Sequence, residues 1–469
     1  MPGGEKSDAG AGKAIHVVML PWLAFGHISP FAQLARKLVS IDGEPIRVSF
    51  LTAAGNLPRV RAMLGPAAAE AVAVVPLHLP RVPGLPEGSA STAELTASGA
   101  ELLKVALDGT REHVAALLAD LRPDAALIDF ATPWVCDVAV PLGVKVLHLS
   151  VFSAVAGAYL AVPARRLPTS AGDLMSAPDG FPESSVVATV PAYQAADFTY
   201  MFTSFDGQPC VYDRVVASIK PCDAVVIKSC MEMEGRYISY LSAQFGKPVL
   251  VTGPVVPEPP QGELERRWAS WLSSFPENSV VFASFGSETF LPPAAATELL
   301  LGLEATGRPF LVVLNFPKGA DAEAELRASI PPGLEERVSG RGEVCTGWVQ
   351  QQHILRHRSV GCYLNHAGFS SAVEGLVAGC HLVFLPMKGD QYLNAALLAR
   401  ELHVGVQVVR RDEDGWFGRQ DVSDAVAVAV ADGGDGDGRN WRDFFTNQDV
   451  QNKFASDFVR QLKELVRPA

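Results

Sequence analysis

The sequence predicts an α/β protein built from two doubly wound parallel sheets that face each other across a cleft. Three observations predict it. The chain runs to 469 residues, too long for one ordinary core and suited to two domains of the larger kind. Short apolar runs alternate with helical patterns in both halves, and strands separated by helices lie parallel with helices on both faces. A proline-rich run at residues 253–262 breaks the alternation, which then restarts.

The elements follow in chain order. Residues 1–13 have no apolar core and read as a polar leader, not a signal peptide. "AIHVVMLPW" (14–22) reads as a buried strand, and "SPFAQLARKLVS" (29–40) as a helix with Ser29 as its cap and Pro30 in its first turn. Further strands fall at 46–52, 124–129, 144–150 and 224–229. After the break they recur at 279–287, 309–315, 342–348, 360–366 and 381–386. "VQNKFASDFVRQLKELV" (450–466) is an amphipathic terminal helix, expected to pack back on the first half. The expected units are therefore 1–252, a linker at 253–262, 263–449 and 450–469. In such sheets ligands sit beyond the carboxyl ends of the strands, and the cleft between two halves is the default site.

Composition narrows the class. Hydrophobic residues make up 48% and charged residues 19%, as in a soluble globular protein. Lys plus Arg is 39 against 51 for Asp plus Glu, and the net charge of −12 argues against a nucleic-acid partner, which needs a basic face. Seven cysteines with no CxxC pair read as reduced thiols in a cytoplasmic protein. Residues 146–164 carry no formal charge, but His148, Pro163 and the following Arg165 and Arg166 favour a strand, a loop and a short helix over a membrane span. "DGGDGDG" (432–438) reads as an exposed turn in preference to a calcium loop. His353 and His357 stand at i, i+4, yet no carboxylate follows in a metalloprotease pattern. Nothing suggests an obligate partner, so a monomer is expected.

The chemistry concentrates where strands end. "VGCYLNH" brings the chain to His366, and Ala367, Gly368, Phe369 and Ser370 turn it into a helix. Free N–H groups, hydroxyls and an imidazole at a helix N-terminus favour a diphosphate. Ser370 and Glu374 share a helix face, and a carboxylate there can accept from vicinal sugar hydroxyls. "SFGS" (284–287) repeats the strand-to-small-turn design, so Ser287 can also reach a phosphate. In the first half His27 follows one strand and Asp129 ends another, and parallel strands bring both ends to one cleft.

Residues 348–391, "WVQQQHILRHRSVGCYLNHAGFSSAVEGLVAGCHLVFLPMKGDQ", resemble the signature box of plant UDP-sugar-dependent glycosyltransferases, the family 1 enzymes of plant secondary metabolism. The resemblance runs end to end without a gap and extends over essentially the whole chain. "PWLAFGHISPF" and "SFGS" look most like the subgroup that adds a second sugar to a flavonoid or anthocyanin glycoside. It implies a GT-B-type architecture of two Rossmann-like domains, the first binding the acceptor and the second the UDP-sugar. Trp348 would stack on the uracil, with Val349 backbone and the Gln351 side chain fixing its edge. His366, Ser370, Ser371 and Ser287 would hold the diphosphate, Glu374 the ribose, and Asp390 and Gln391 the transferred sugar. Gly26 would border the donor beside His27. His27 would act as base and Asp129 would orient it. Three positions depart from the family pattern: Gln350 replaces Pro, Phe369 replaces Trp and Ser370 replaces Asn; a hydroxyl at 370 can still donate, so weaker or rearranged phosphate contact is expected there and not loss of function.

The resemblance implies inverting transfer from a UDP-sugar co-substrate, with no resident cofactor and no metal. The Asp390–Gln391 pair favours glucose, with xylose, rhamnose or galactose as rivals. The acceptor implied is a flavonoid or flavonoid glycoside; a terpenoid or other phenolic is the alternative. Phe25, Phe152, Tyr200 and Phe205 are candidates to line a flat apolar pocket. A nicotinamide oxidoreductase on a similar sheet would need GxGxxG after a strand, which the sequence lacks, and a P-loop is also missing. A UDP-sugar-binding protein without turnover would need a damaged His27 or Asp129, and both are intact.

Overall fold

The computed structural model describes residues 14–41, 46–254, 256–260, 262–286, 289–317, 319–431 and 440–467. The polar leader, Ser287 and the 432–438 run lie outside the described residues. Seven strands form the first sheet: β1 (Ile15–Leu20), β2 (Ile46–Ala53), β3 (Val72–Leu77), β4 (Ala125–Ile128), β5 (Lys145–Ser150), β6 (Ala224–Ile227) and β7 (Val249–Val251). Six form the second: β8 (Val280–Ser284), β9 (Phe310–Val313), β10 (Gly342–Cys345), β11 (Val360–Asn365), β12 (His381–Phe384) and β13 (Val406–Gln407).

The orders are β3-β2-β1-β4-β5-β6-β7 and β10-β9-β8-β11-β12-β13. The neighbours pair parallel, as in β1 with β4 and β8 with β11. Strands such as β1, β4 and β6 are buried along their whole length, because helices cover both faces. Each sheet winds outward from a central pair, β1/β4 and β8/β11, where the strand order reverses. Such switch points leave a crevice at the carboxyl ends.

Three strands escape the sequence reading. β7 and β13 have three and two residues, too few to show a period. β3 follows directly on an alanine-rich helix, which masks the change of period. The first helix also begins earlier than Ser29. It spans Phe25–Val39, opened by His27 N and Ile28 N donating to Ala24 O. Burial of Ile28 holds the extra turn, and Pro30 sits inside the helix. Among the described residues no helix is long and apolar enough to cross a membrane; residues 146–164 are most of β5 followed by the short helix Ala154–Leu160 and its continuation.

The terminal helix is Gln448–Val466, capped by Asn447, whose side chain accepts from Asp449 N and Val450 N. Phe458, Val459 and Leu462 join the core between the first sheet and the helix Phe25–Val39. Phe454 fills the space at Gly253, where a Cβ would lie 2.5 Å from the ring.

Candidate active site

The first switch point holds a His–Asp pair. Asp129 Oδ2 accepts from His27 Nδ1 at 2.8 Å and from Trp22 N at 3.1 Å, and Oδ1 accepts from Phe130 N at 2.7 Å. Asp129 is buried. Burial alone would raise its carboxyl, but His27 and the Trp22 N–H outweigh it and hold the group below the ordinary carboxylate range. Phe130 and Phe152 flank the imidazole, each with ring centroids 5.6 Å away. His27 Nε2 takes no protein hydrogen bond among the described residues. Gly26, in the same helical turn, has open space where a side chain would stand.

A cavity of about 50 Å³ opens beside this pair, lined by Asp129, Phe130, Phe152, Tyr200, Met201 and Asp390 among others. Phe152 and Tyr200 are among its lining residues. Phe25 and Phe205 are not. Phe25 stands at the start of the first helix and stacks under the Arg59 guanidinium at 3.4 Å, and Phe205 is exposed in a loop. Phe130 is a wall residue the sequence reading missed. Its signal was its place directly after Asp129.

At the second switch point His366 follows β11. Its ring is clamped between glycines: a Cβ on Gly286 would lie 3.1 Å from it, and one on Gly368 at 2.6 Å. Ala367 takes φ 60°, a left-handed conformation rare for alanine. Asn365 Oδ1 accepts from Ala367 N at 2.9 Å and Asn394 Nδ2 donates to Ala367 O at 3.1 Å, which hold the strained turn. Burial first, then the Lys388 charge, pulls the His366 imidazole down to about 4, so the ring is neutral. Its Nδ1 is buried without a well-formed hydrogen bond, and the Ser284 backbone is the polar group that acts on the ring. A helix N-terminus with a buried imidazole beside it is suited to an anion. Ser370 and Ser371 stand in the first turn of that helix, Phe369–Ala378. Phe369, in place of Trp, is buried in the core, and Ser370, in place of Asn, accepts from Lys228 Nζ at 3.1 Å. Lys228 comes from the first half and was not singled out in the sequence.

Further along the second half, Trp348 is 81% exposed. An exposed indole offers a flat face on which a planar ring can stack. Val349 follows it, half-buried. Glu374 accepts from Gln351 Nε2 at 2.7 Å and from Gln352 Nε2 at 3.3 Å, and burial raises its carboxyl. Gln350 takes the place of a proline by side-chain bonds to Glu265 N at 2.6 Å and Glu263 O at 3.0 Å. Asp390 accepts from Asn394 Nδ2 at 2.9 Å. Gln391 is buried, and its amide is engaged by Met387 N, Lys388 N and Thr289 Oγ1, so here it braces the loop before Asp390. His353 and His357 take separate partners, Gly262 O for the first and Ser273 and Ser359 for the second.

Comparison with known proteins decides the family. A model of the UDP-glucoronosyl and UDP-glucosyl transferase family matches residues 209–427. A Petunia hybrida anthocyanidin-3-O-glucoside rhamnosyltransferase is 48% identical over 97% of this chain and 97% of its own. The chain belongs to the UDP-glycosyltransferase family. This glycosyltransferase is also 35% identical to an anthocyanidin 3-O-glucoside 2''-O-glucosyltransferase of Ipomoea nil, over 96% of this chain and 98% of that one. Its fold matches the crystal structure of Arabidopsis thaliana UGT89C1 complexed with UDP at a TM-score of 0.71, with 22% identity, over 96% of this chain and 99% of that one. The GT-B-type pair of Rossmann-like sheets expected from the sequence is therefore the fold of this glycosyltransferase.

Proposed function

We propose that this glycosyltransferase moves a sugar from a UDP-sugar onto a hydroxyl of a flavonoid 3-O-glycoside, with inversion at the anomeric carbon. The observation that carries the proposal is the His27–Asp129 pair, with Nε2 unengaged, at the switch point that faces the Trp348–Glu374–His366 set. In this reading the first half, 1–252, binds the acceptor and 263–449 binds the donor. The linker is 253–262, and residues 450–469 lock the terminal helix to the first half.

An acceptor hydroxyl is a poor nucleophile and needs a base, which an imidazole supplies near neutral pH. Asp129 accepts from Nδ1, which leaves Nε2 to take the proton, and it steadies the imidazolium that forms. UDP is already a good leaving group and needs charge stabilisation more than acid help. His366, Ser370, Ser371, Ser287 and the helix N-terminus supply donors to its diphosphate, so the reading needs no metal. Trp348 stacks on the uracil, Val349 and Gln351 fix its edge, and Glu374 holds the ribose. Gly26 leaves the donor side of His27 open. Asp390 binds the transferred sugar with Gln391 as its brace. Attack from the opposite face on an α-linked UDP-glucose yields a β-glucoside. Phe152, Phe130 and Tyr200 form the acceptor wall.

Glucose is the donor favoured by Asp390–Gln391. The Petunia relative's activity supports UDP-rhamnose as a second reading. Seven free thiols support a reducing compartment such as the cytoplasm, and a monomer belongs to the same reading. The test is UDP release in EDTA, with UDP-glucose, UDP-rhamnose and UDP-xylose in turn, comparing a flavonol or anthocyanidin aglycone with its 3-O-glucoside. Release with the glucoside and not the aglycone is expected. Release with the aglycone alone overturns the sugar-on-sugar reading.

A further inference from the structure

We propose that Lys228 is the cation that the first half of the protein delivers to the donor diphosphate, exchanging its hydrogen bond to Ser370 for phosphate oxygens. The inference rests on reading the 366–371 turn as the diphosphate cradle. β6 ends at Ile227, so Lys228 leaves the sheet at its carboxyl end and faces the second half. Its side chain is only 6% exposed. The hydrogen bond to Ser370 Oγ is the one it makes among the described residues, and it forms no ion pair there. Asp390 and Glu234 act on it from further off; both carboxyls are raised, by burial first.

A buried ammonium bonded to a hydroxyl, with no carboxylate in ion-pair contact among the described residues, is suited to take a closer anion. Burial lowers its pKa to about 8, which leaves it a cation at neutral pH. His366 is neutral and cannot supply that charge. Lys388 faces His366 as well, so Lys228 adds a cation from the opposite half. The acceptor O–H gives its proton to His27 while its oxygen bonds to the anomeric carbon. The bond from that carbon to the β-phosphate oxygen breaks, and UDP leaves with the electron pair. Charge grows on the β-phosphate at that moment, and a preorganised ammonium stabilises it. The contact also accounts for Ser370. A hydroxyl there can accept from the lysine and then yield it to phosphate oxygens.

The experiment measures calorimetric affinities of UDP and uridine for the wild type, Lys228→Met and Lys228→Arg, together with kcat and both KM values. Lys228→Met is expected to weaken UDP about tenfold or more, leave uridine unchanged, raise the donor KM and spare the acceptor KM. Lys228→Arg is expected to recover most of the loss. If the Met variant does not fold, Lys228→Gln carries the same comparison. Unchanged UDP affinity in a folded variant, or an equal loss for uridine and UDP, overturns the proposal. A wild type that binds no UDP overturns the cradle reading, and this inference with it.

Discussion

Single residues at the site carry distinct energetic roles even where they are neighbours. Asp129→Asn keeps the shape beside His27 but alters which ring nitrogen carries the proton. It is expected to lower kcat by roughly 10³-fold with little change in either KM, read by steady-state UDP release. Trp348→Ala removes a stacking surface and is expected to weaken UDP by about 1–3 kcal/mol in calorimetry. Glu374→Ala is expected to raise the donor KM by about 2 kcal/mol, the size of a charged hydrogen bond. Unchanged UDP affinity or donor KM in these last two would remove each from the donor site. His27, Asp129 and His366 drew attention in the sequence because they follow or end strands of doubly wound sheets, and Glu374 because it shares a face with Ser370 on the helix after β11; the roles proposed for them come from the family resemblance. Lys228 drew no such attention. A lysine after a short strand has no local signature, and its meaning comes from Ser370, 142 residues away.

At the scale of elements, the long alternation of strand and helix was legible, and what stayed hidden was short or masked. β13 has two residues and no period to read. The Ser29–Pro30 start signal was outweighed by burial of Ile28, which holds the turn that begins at Phe25. Element stability offers two checks. Phe458 anchors the terminal helix in the core, and Phe458→Ala is expected to cost about 3–5 kcal/mol in urea unfolding. On β5, His148 is buried against Ser218, with its ring bonded to Ser218 Oγ at 2.9 Å. Burial lowers its pKa from 6.5 to about 4 in the fold. As pH falls below 6.5 the unfolded chain takes up this proton first, so stability present above 6.5 is lost progressively toward pH 4. The loss attributable to His148 is on the order of 3 kcal/mol. His148→Gln is expected to flatten that part of the pH dependence; an unchanged slope between pH 6.5 and 4 removes His148 from it.

At the scale of the whole molecule, the two switch points are tied across the cleft. Ser153 Oγ donates to Asn394 Oδ1 at 2.5 Å, Gly389 N donates to Asp197 Oδ2 at 2.6 Å, and Tyr237 donates to Glu401 Oε2 at 2.8 Å. Asn394 also holds Asp390 and the strained Ala367 turn, so one asparagine links the donor loops to the acceptor half. This cross-cleft bracing could not be read from the sequence, because each bond joins residues far apart in the chain. The division of labour it supports, a base in the first half and a nucleotide cradle in the second, is tested most directly with His27→Ala. Its UDP release should be compared with wild type on the 3-O-glucoside, alongside calorimetric UDP affinity. The account predicts turnover reduced by about 10²–10⁴-fold with UDP affinity unchanged. Wild-type turnover in that variant, or loss of UDP binding together with turnover, would contradict it.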